Sequence, residues 1–296
     1  MGNFDGIHLG HRAVIDLARP DKTRGKAPLG VITFEPHPRE VFAPDLPPFR
    51  LMNAEARANR LAKLGVGHLF QLPFNAQLST LTPEEFARDV LAGGLGVSHV
   101  VVGADFCFGR NRKGRAADLV GLGQTHGFAV TVADLITSGD TPISSTAIRA
   151  ALTDGRPRDA AAMLGHLHRI EGAVIHGEKR GRELGYPTAN MDVTNLHLPR
   201  LGVYAVRADV LTGAHKGSYM GAASLGVRPM FGVNQPNLET YLLDFKGDLY
   251  DQHVSIGFVD FLRPEMKFDG LPALITQMEA DCTRARQILT ASKAPQ

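Results

Sequence analysis

Cysteine is nearly absent from these 296 residues: Cys107 and Cys282 stand far apart, in neither a metal-ligand nor a disulfide spacing. That excludes a disulfide scaffold and a thiolate metal site, and both read as reduced core residues of a cytosolic protein. No apolar run approaches the roughly 20 residues that cross a membrane, and nothing resembles a signal peptide. There is no block of like charge. Lys and Arg number 32 against 30 Asp and Glu, for a formal charge of +2 spread along the chain, which leaves neither a nucleic-acid groove nor a membrane-surface helix. Low-complexity tracts and internal repeats are missing too. The remaining composition, 44% hydrophobic and 21% charged, is that of a globular chain long enough for two domains with separate cores.

Two phosphate-handling signatures stand out against this plain background. The run Gly2-Asn3-Phe4-Asp5-Gly6-Ile7-His8-Leu9-Gly10-His11 sets two imidazoles three residues apart at the mouth of a helix, where backbone N–H groups and the helix dipole favour anions. Much later, Gly185-Tyr186-Pro187-Thr188-Ala189-Asn190 presents a hydroxyl and an amide oxygen on a Pro turn. These are hard neutral ligands of the kind that accompany Mg²⁺ and substrate phosphates. Together they suggest two ATP-dependent steps. Ile143-Ser144-Ser145-Thr146-Ala147-Ile148-Arg149 adds hydroxyls and a guanidinium ahead of another helix, a combination that suits pyrophosphate.

The pattern divides the chain near residue 160. In the first part, Leu29–Phe34, Leu69–Leu72, Val100–Val102 and Ala129–Val132 read as buried parallel strands. Between them fall helices, one with the stripe Ala13, Val14, Leu17 and Ala18, another opened by Thr82-Pro83-Glu84-Glu85. This is the rhythm of a doubly wound α/β domain, expected over residues 1–157. In the second part, 158–296, a short helix at 160–164 precedes alternating segments at Val203–Val210, Leu238–Phe245 and His253–Phe261, which favour a small antiparallel β-barrel. A terminal helix should lay Leu271, Leu274, Ile275, Met278 and Cys282 against it. Each half should close its own core.

Residues 2–11, Thr33–Pro38, Val101–Gly109 and Ile143–Arg149 resemble the four motifs of the FMN adenylyltransferase half of bacterial bifunctional FAD synthetases. His176–Arg182, Gly185–Asn190, Gly202–Tyr204 and Leu238–Thr240 are similar to the riboflavin kinase half of that family, in family order. The resemblance implies a cytoplasmic enzyme that makes FMN from riboflavin and then FAD from FMN, with ATP as co-substrate, Mg²⁺ as cofactor and self-association as an open option. In the first half it implies phosphate contacts from Gly2, Asn3, Asp5, His8 and His11, with Ser145, Thr146 and Arg149 on the pyrophosphate. Phe42, Asp105 and Phe108 would seat the flavin, in an apolar slot beside a cationic phosphate pocket. For each aromatic, core packing is the other reading. In the second half it implies Mg²⁺–ATP on Thr188 and Asn190, and phosphates wrapped by Gly177, Lys179 and Gly181. Glu239 would be the base for the ribityl 5′-hydroxyl, and Arg263 would lie close to the flavin or in a salt bridge.

Two departures accompany the resemblance. Met230 stands where the family usually has threonine. The family also has a hydrophobic strand running into Gly2-Asn3-Phe4-Asp5, central in a doubly wound sheet, whereas Met1 abuts that turn. The expectation is a start upstream of Met1, or a kinase-only or flavin-binding protein with an impaired first half. A nucleotidyltransferase for another phosphorylated metabolite and an aminoacyl-tRNA synthetase fragment share only the H-x-G-H signature. The first is disfavoured by Gly185–Asn190 and Glu239, and the second by the lack of a basic tRNA-binding stretch.

Overall fold

The apolar runs of the first half form parallel strands: β1 (Gly30–Glu35) pairs with β2 (His68–Pro73), and β3 (His99–Gly103) with β4 (Ala129–Ala133). The computed structural model describes residues 1–20, 27–138, 141–177, 185–230 and 233–292. Met1–Pro47 and Arg57–Ser144 make one compact unit, and Pro48–Ala56 and Ser145–Gln296 the other.

In the first unit β1 and β3 carry the core: Ile32, Phe34, Val100 and Val102 pack with Phe86, Leu91 and Leu119. Full burial of such side chains contributes about 1.5–3 kcal/mol each. Residues 1 and 2 bond to both strands, the Met1 ammonium to the Val101 carbonyl at 2.8 Å and the Gly2 N–H to the Ile32 carbonyl at 3.1 Å. β2 and β4 are the far members of their pairs, so the expectation of four buried strands is corrected for them: Phe70 and Val132 are each 38% exposed. Helix α1 (Leu9–Leu17) buries Val14 and Ile15, while Leu17 of the expected stripe lies exposed. Thr82 caps the helical segment that starts at Pro83, as its sequence suggests. Its hydroxyl accepts the Glu85 N–H, and the Glu85 carboxylate accepts the Thr82 N–H.

The second unit opens with a helix pair, α2 (Ser145–Thr153) and α3 (Pro157–Leu164), whose Ile148, Leu152, Ala160 and Leu164 pack with Leu51. Six strands follow: β5 (His168–Ala173), β6 (Thr188–Asp192), β7 (Gly202–Val210), β8 (Gly217–Met230), β9 (Val233–Leu242) and β10 (His253–Arg263). Every pairing is antiparallel, in the order β6-β9-β8-β7-β10-β5. The sheet curls until its edges meet, where the Ile175 N–H bonds to the Asn190 carbonyl at 2.8 Å. This closure satisfies edge groups that a flat sheet would leave open.

β7 is buried on both faces. Tyr204, Val206 and Ala208 point into the barrel core with Leu238, Ile256 and Phe258, and Val203 and Ala205 lie under the terminal helix α4 (Leu271–Ala291). That helix packs through Ala285 and Leu289, with Cys282 at the margin. The expected face was placed too near its start, since Leu271 is 59% exposed.

Candidate active sites

In the first unit the turn before α1 bends through Phe4, Gly6 and Ile7 at φ of 51°, 87° and 45°, a left-handed conformation unfavourable for bulky residues. Burial of Phe4, Asp5 and Ile7 holds it. So does the Thr33 hydroxyl, which donates to the exposed Asn3's carbonyl at 3.2 Å. The chain then enters α1 with His8 as N-cap, its Nδ1 accepting the His11 N–H at 3.3 Å. The two imidazoles stack, centroids 3.7 Å apart. Gly10 makes this possible: a Cβ there would lie 3.1 Å from the His8 ring.

Because Nδ1 of His8 accepts a hydrogen bond, the proton of the neutral ring sits on Nε2. Burial lowers the His8 pKa to about 4 against the pull of the Asp105 carboxylate, and burial together with His8 holds His11 well below its ordinary value. Both rings are therefore neutral at pH 7. The two imidazoles are thus neutral donors, since water is excluded where a charge would need it. Nδ1 of His11 is buried without a hydrogen-bond partner among the described residues.

The aromatics differ in fate. Phe108 is 5% exposed, packed with Phe86 and stacked on Phe106 at 5.9 Å, in keeping with the core-packing alternative. Phe42 is 68% exposed and meets Phe74 edge to face. Asp105 is exposed at the end of β3. Ser145, Thr146 and Arg149 lie on the first turns of α2, in the second unit. There Arg149 Nε donates to the Phe49 carbonyl at 2.6 Å and the guanidinium covers the Phe49 ring.

The second unit gathers the other group of residues on one sheet face. Asn190 on β6 lies opposite Glu239 on β9, and Thr188 opposite Tyr241. The alternate residues Ala189, Met191, Leu238 and Leu242 face the core, so Thr188, Asn190 and Glu239 share the other side. The Asn190 amide donates to the Thr188 carbonyl at 3.2 Å and lies 3.4 Å from the Thr188 hydroxyl. Gly177 packs on that amide so closely that a Cβ would come within 2.5 Å of it. Sequence reasoning missed Asn237, whose Nδ2 donates to Asn190 Oδ1 at 3.0 Å and Glu239 Oε1 at 3.1 Å. Its signal was its place two residues before Glu239, on the same face of a strand. Lys179 and Gly181 lie outside the described residues, as does the side chain of Met230.

Arg263 makes the salt bridge that was one of its two readings. Nε and Nη2 clasp the Asp281 carboxylate at 2.7–3.0 Å, tying β10 to α4, with both side chains largely buried. Truncating one member strands the other. Arg263→Leu is expected to cost roughly 3 kcal/mol, at the low end for a buried pair because Gln277 still donates to Asp281. Chemical denaturation monitored by circular dichroism checks it, and a loss under about 1 kcal/mol would mean the pair is solvated.

Acid sensitivity follows from the histidines. Buried His168, against the Phe258 ring, is pushed down to about 3 by burial, with His197 and His166 adding to the effect. Between pH 6.5 and the lowered values, His8 and His168 bind protons only in the unfolded chain. The stability they confer is complete above about pH 6.5. It falls by about 1.4 kcal/mol per pH unit for each as pH drops toward 4 and 3. Thermal melts from pH 7.5 to 5 should show a falling midpoint, and His168→Leu should flatten the slope. An unchanged slope in that variant would place the acid loss elsewhere.

A strained anion-binding turn capped by paired imidazoles in one unit, and a Thr/Asn/Glu cluster on a barrel in the other, define a two-site enzyme of phosphorus-group transfer. Comparison with known proteins narrows the class. The FAD synthetase family model matches residues 1–147 and the riboflavin kinase model residues 164–289. A bifunctional riboflavin kinase/FMN adenylyltransferase from Pseudomonas fluorescens is 40% identical over 99% of this chain and 93% of that protein. The Listeria monocytogenes protein of the same name is 39% identical over 95% and 88%, and that of Escherichia coli K12 36% over 99% and 93%. A crystal structure described as a macrolide-efflux protein from Streptococcus pneumoniae superposes with a TM-score of 0.83 at 30% identity, covering 99% of this chain and 93% of that one. The chain belongs to the bifunctional riboflavin kinase/FMN adenylyltransferase family.

Proposed function

We propose that this chain catalyses both reactions in its relatives' name: riboflavin and ATP to FMN and ADP, then FMN and a second ATP to FAD and pyrophosphate. The observation that carries this reading is the pairing of Asn190 with Glu239 across β6 and β9, beside Thr188. We assign the kinase to 158–296 and the adenylyltransferase to 1–157, a division that falls between the two family matches. No described helix is long and apolar enough to cross a membrane. Two free cysteines fit the cytosol, where ATP and flavins are at hand.

In the kinase, Glu239 accepts the proton of the ribityl 5′-hydroxyl as its oxygen attacks the γ-phosphorus and ADP departs. An open, shallow cleft lined by Pro187, Thr188, Leu242, Phe245 and Tyr250 among others offers apolar walls for the adenosine of ATP and leads to Thr188. No cluster of three His, Cys, Asp or Glu suited to a metal occurs among the described residues. The neutral oxygens of Thr188 and Asn190 nevertheless suit Mg²⁺ shared with phosphates, and would hold it. Bound there, the ion would neutralise charge on the phosphates. In the adenylyltransferase, His8 and His11 donate to the ATP phosphates as neutral imidazoles. Ser145, Thr146 and Arg149 hold the departing pyrophosphate, and Phe42 offers a face to the flavin.

Incubation of purified protein with riboflavin, ATP and Mg²⁺, followed by chromatographic separation of riboflavin, FMN and FAD, tests the proposal. FMN then FAD is expected. FAD formed only from supplied FMN, or flavin bound without conversion, would overturn the bifunctional reading.

A further inference from the structure

We infer that Asn237 is a positioning residue of the kinase site, which sets Asn190 and Glu239 at a fixed spacing and holds both in working orientation. The inference rests on the kinase reading above and assigns a role to a residue outside the motifs. One amide group makes both links. The two N–H bonds of Asn237 Nδ2 reach Asn190 Oδ1 at 3.0 Å and Glu239 Oε1 at 3.1 Å. A side-chain amide has only two such donors, so Asn237 cannot drop one partner without a change of geometry. Asn190 in turn directs its own Nδ2 toward Thr188, at 3.2 Å from the carbonyl and 3.4 Å from the hydroxyl. The chain Glu239, Asn237, Asn190, Thr188 therefore runs through the amide of Asn237, and the orientation of each group fixes the next.

The other end of the same side chain argues that this serves chemistry and not the fold. Asn237 Oδ1 is buried and has no hydrogen-bond partner among the described residues. A buried acceptor left unmade lowers stability, and an apolar side chain of the same size would not carry that burden. The strand beneath needs no amide for packing, since its core contacts come from Leu238 and Leu242 on the other face. Turning the amide over does not relieve the problem, because Oδ1 would then face the acceptors of Asn190 and Glu239. A polar residue kept at a cost to the fold, with both donors aimed at the two central groups of a site, has the signature of stability exchanged for function.

The test is Asn237→Leu in the full chain, with Asn237→Asp as a near-isosteric partner that cannot donate to a carboxylate. Riboflavin kinase kcat should fall at least about 10-fold in both, with KM for ATP raised several-fold and KM for riboflavin within about twofold. The melting temperature of the Leu variant should equal or exceed that of the parent, the opposite of what a structural role gives. In a Glu239→Gln background, Asn237→Leu should lower kcat by clearly less than in the parent, because the part of its effect that runs through the carboxylate is gone while the part through Asn190 remains. Kinase kcat within twofold of the parent, a clear drop in melting temperature, or a fully additive loss in the double variant would each overturn the inference while leaving the kinase reading intact. A folded parent protein that never phosphorylates riboflavin would bring down both.

Discussion

Glu239→Gln is expected to slow riboflavin phosphorylation roughly 10²–10⁴-fold, the range for removal of a positioned general base, while FMN supplied directly still becomes FAD. The substitution is informative because it is nearly isosteric. Gln at 239 retains an oxygen that can accept from Asn237, so the cross-strand arrangement with Asn190 is kept and the lost function is proton acceptance. ATP and riboflavin affinity should accordingly change little, with the effect confined to kcat. Initial rates of ADP and FMN formation, with KM for each substrate, decide the matter. A Gln variant with near-normal kcat would return Glu239 to an ordinary half-buried carboxylate on the outer side of the barrel. A variant that binds neither substrate would mean that the carboxylate holds ligand and does not take a proton.

Motif-bearing parts of this chain were legible in the sequence because local chemistry decides them. Four β/α strands announced themselves as short apolar runs, and the Thr82 cap as a Thr/Pro/Glu string with the geometry it later adopts. Thr188, Asn190 and Glu239 were found as separate motifs. Only the register of β6 on β9 places Asn190 opposite Glu239, and register is a long-range property that no single segment carries. Asn237 escaped for the same reason, as its partners are one strand away or two residues along.

Misreadings came where burial was inferred from composition alone. Phe70 and Val132 look like core residues in a list of apolar runs, but they lie on the far strands of their pairs and are partly exposed. Phe108, open to a flavin or a packing role in sequence, fills the core. Arg263, open between a flavin contact and a salt bridge, clasps the terminal helix through Asp281. Charge state was the least accessible property. Two histidines near a phosphate motif do not disclose their charge; their burial holds them neutral, and burial is known only once the turn of residues 4–7 is built.

That neutral pair carries the other large expected effect. His8→Ala combined with His11→Ala should abolish FAD formation while FMN accumulates from riboflavin, since loss of even one preorganised donor to a developing negative charge costs about 10²–10³-fold. His8 and His11 lie in the first unit, and Thr188, Asn190 and Glu239 in the second, so the kinase barrier should not change. Alanine at position 8 does more than delete an imidazole. His8 Nδ1 caps α1, and loss of a cap costs about 1 kcal/mol of helix stability, so a weakened turn could imitate a lost donor. His8→Asn separates the two, because Asn supplies the acceptor that a helix start needs without reaching as far as an imidazole. The Asn variant should melt close to the parent and still lose at least about 10²-fold in FMN adenylylation. Restoration of activity by Asn would make His8 a cap whose ring never meets the phosphates. Equal loss of both activities in a folded double variant would show that the imidazoles support the protein at large and do not serve one site.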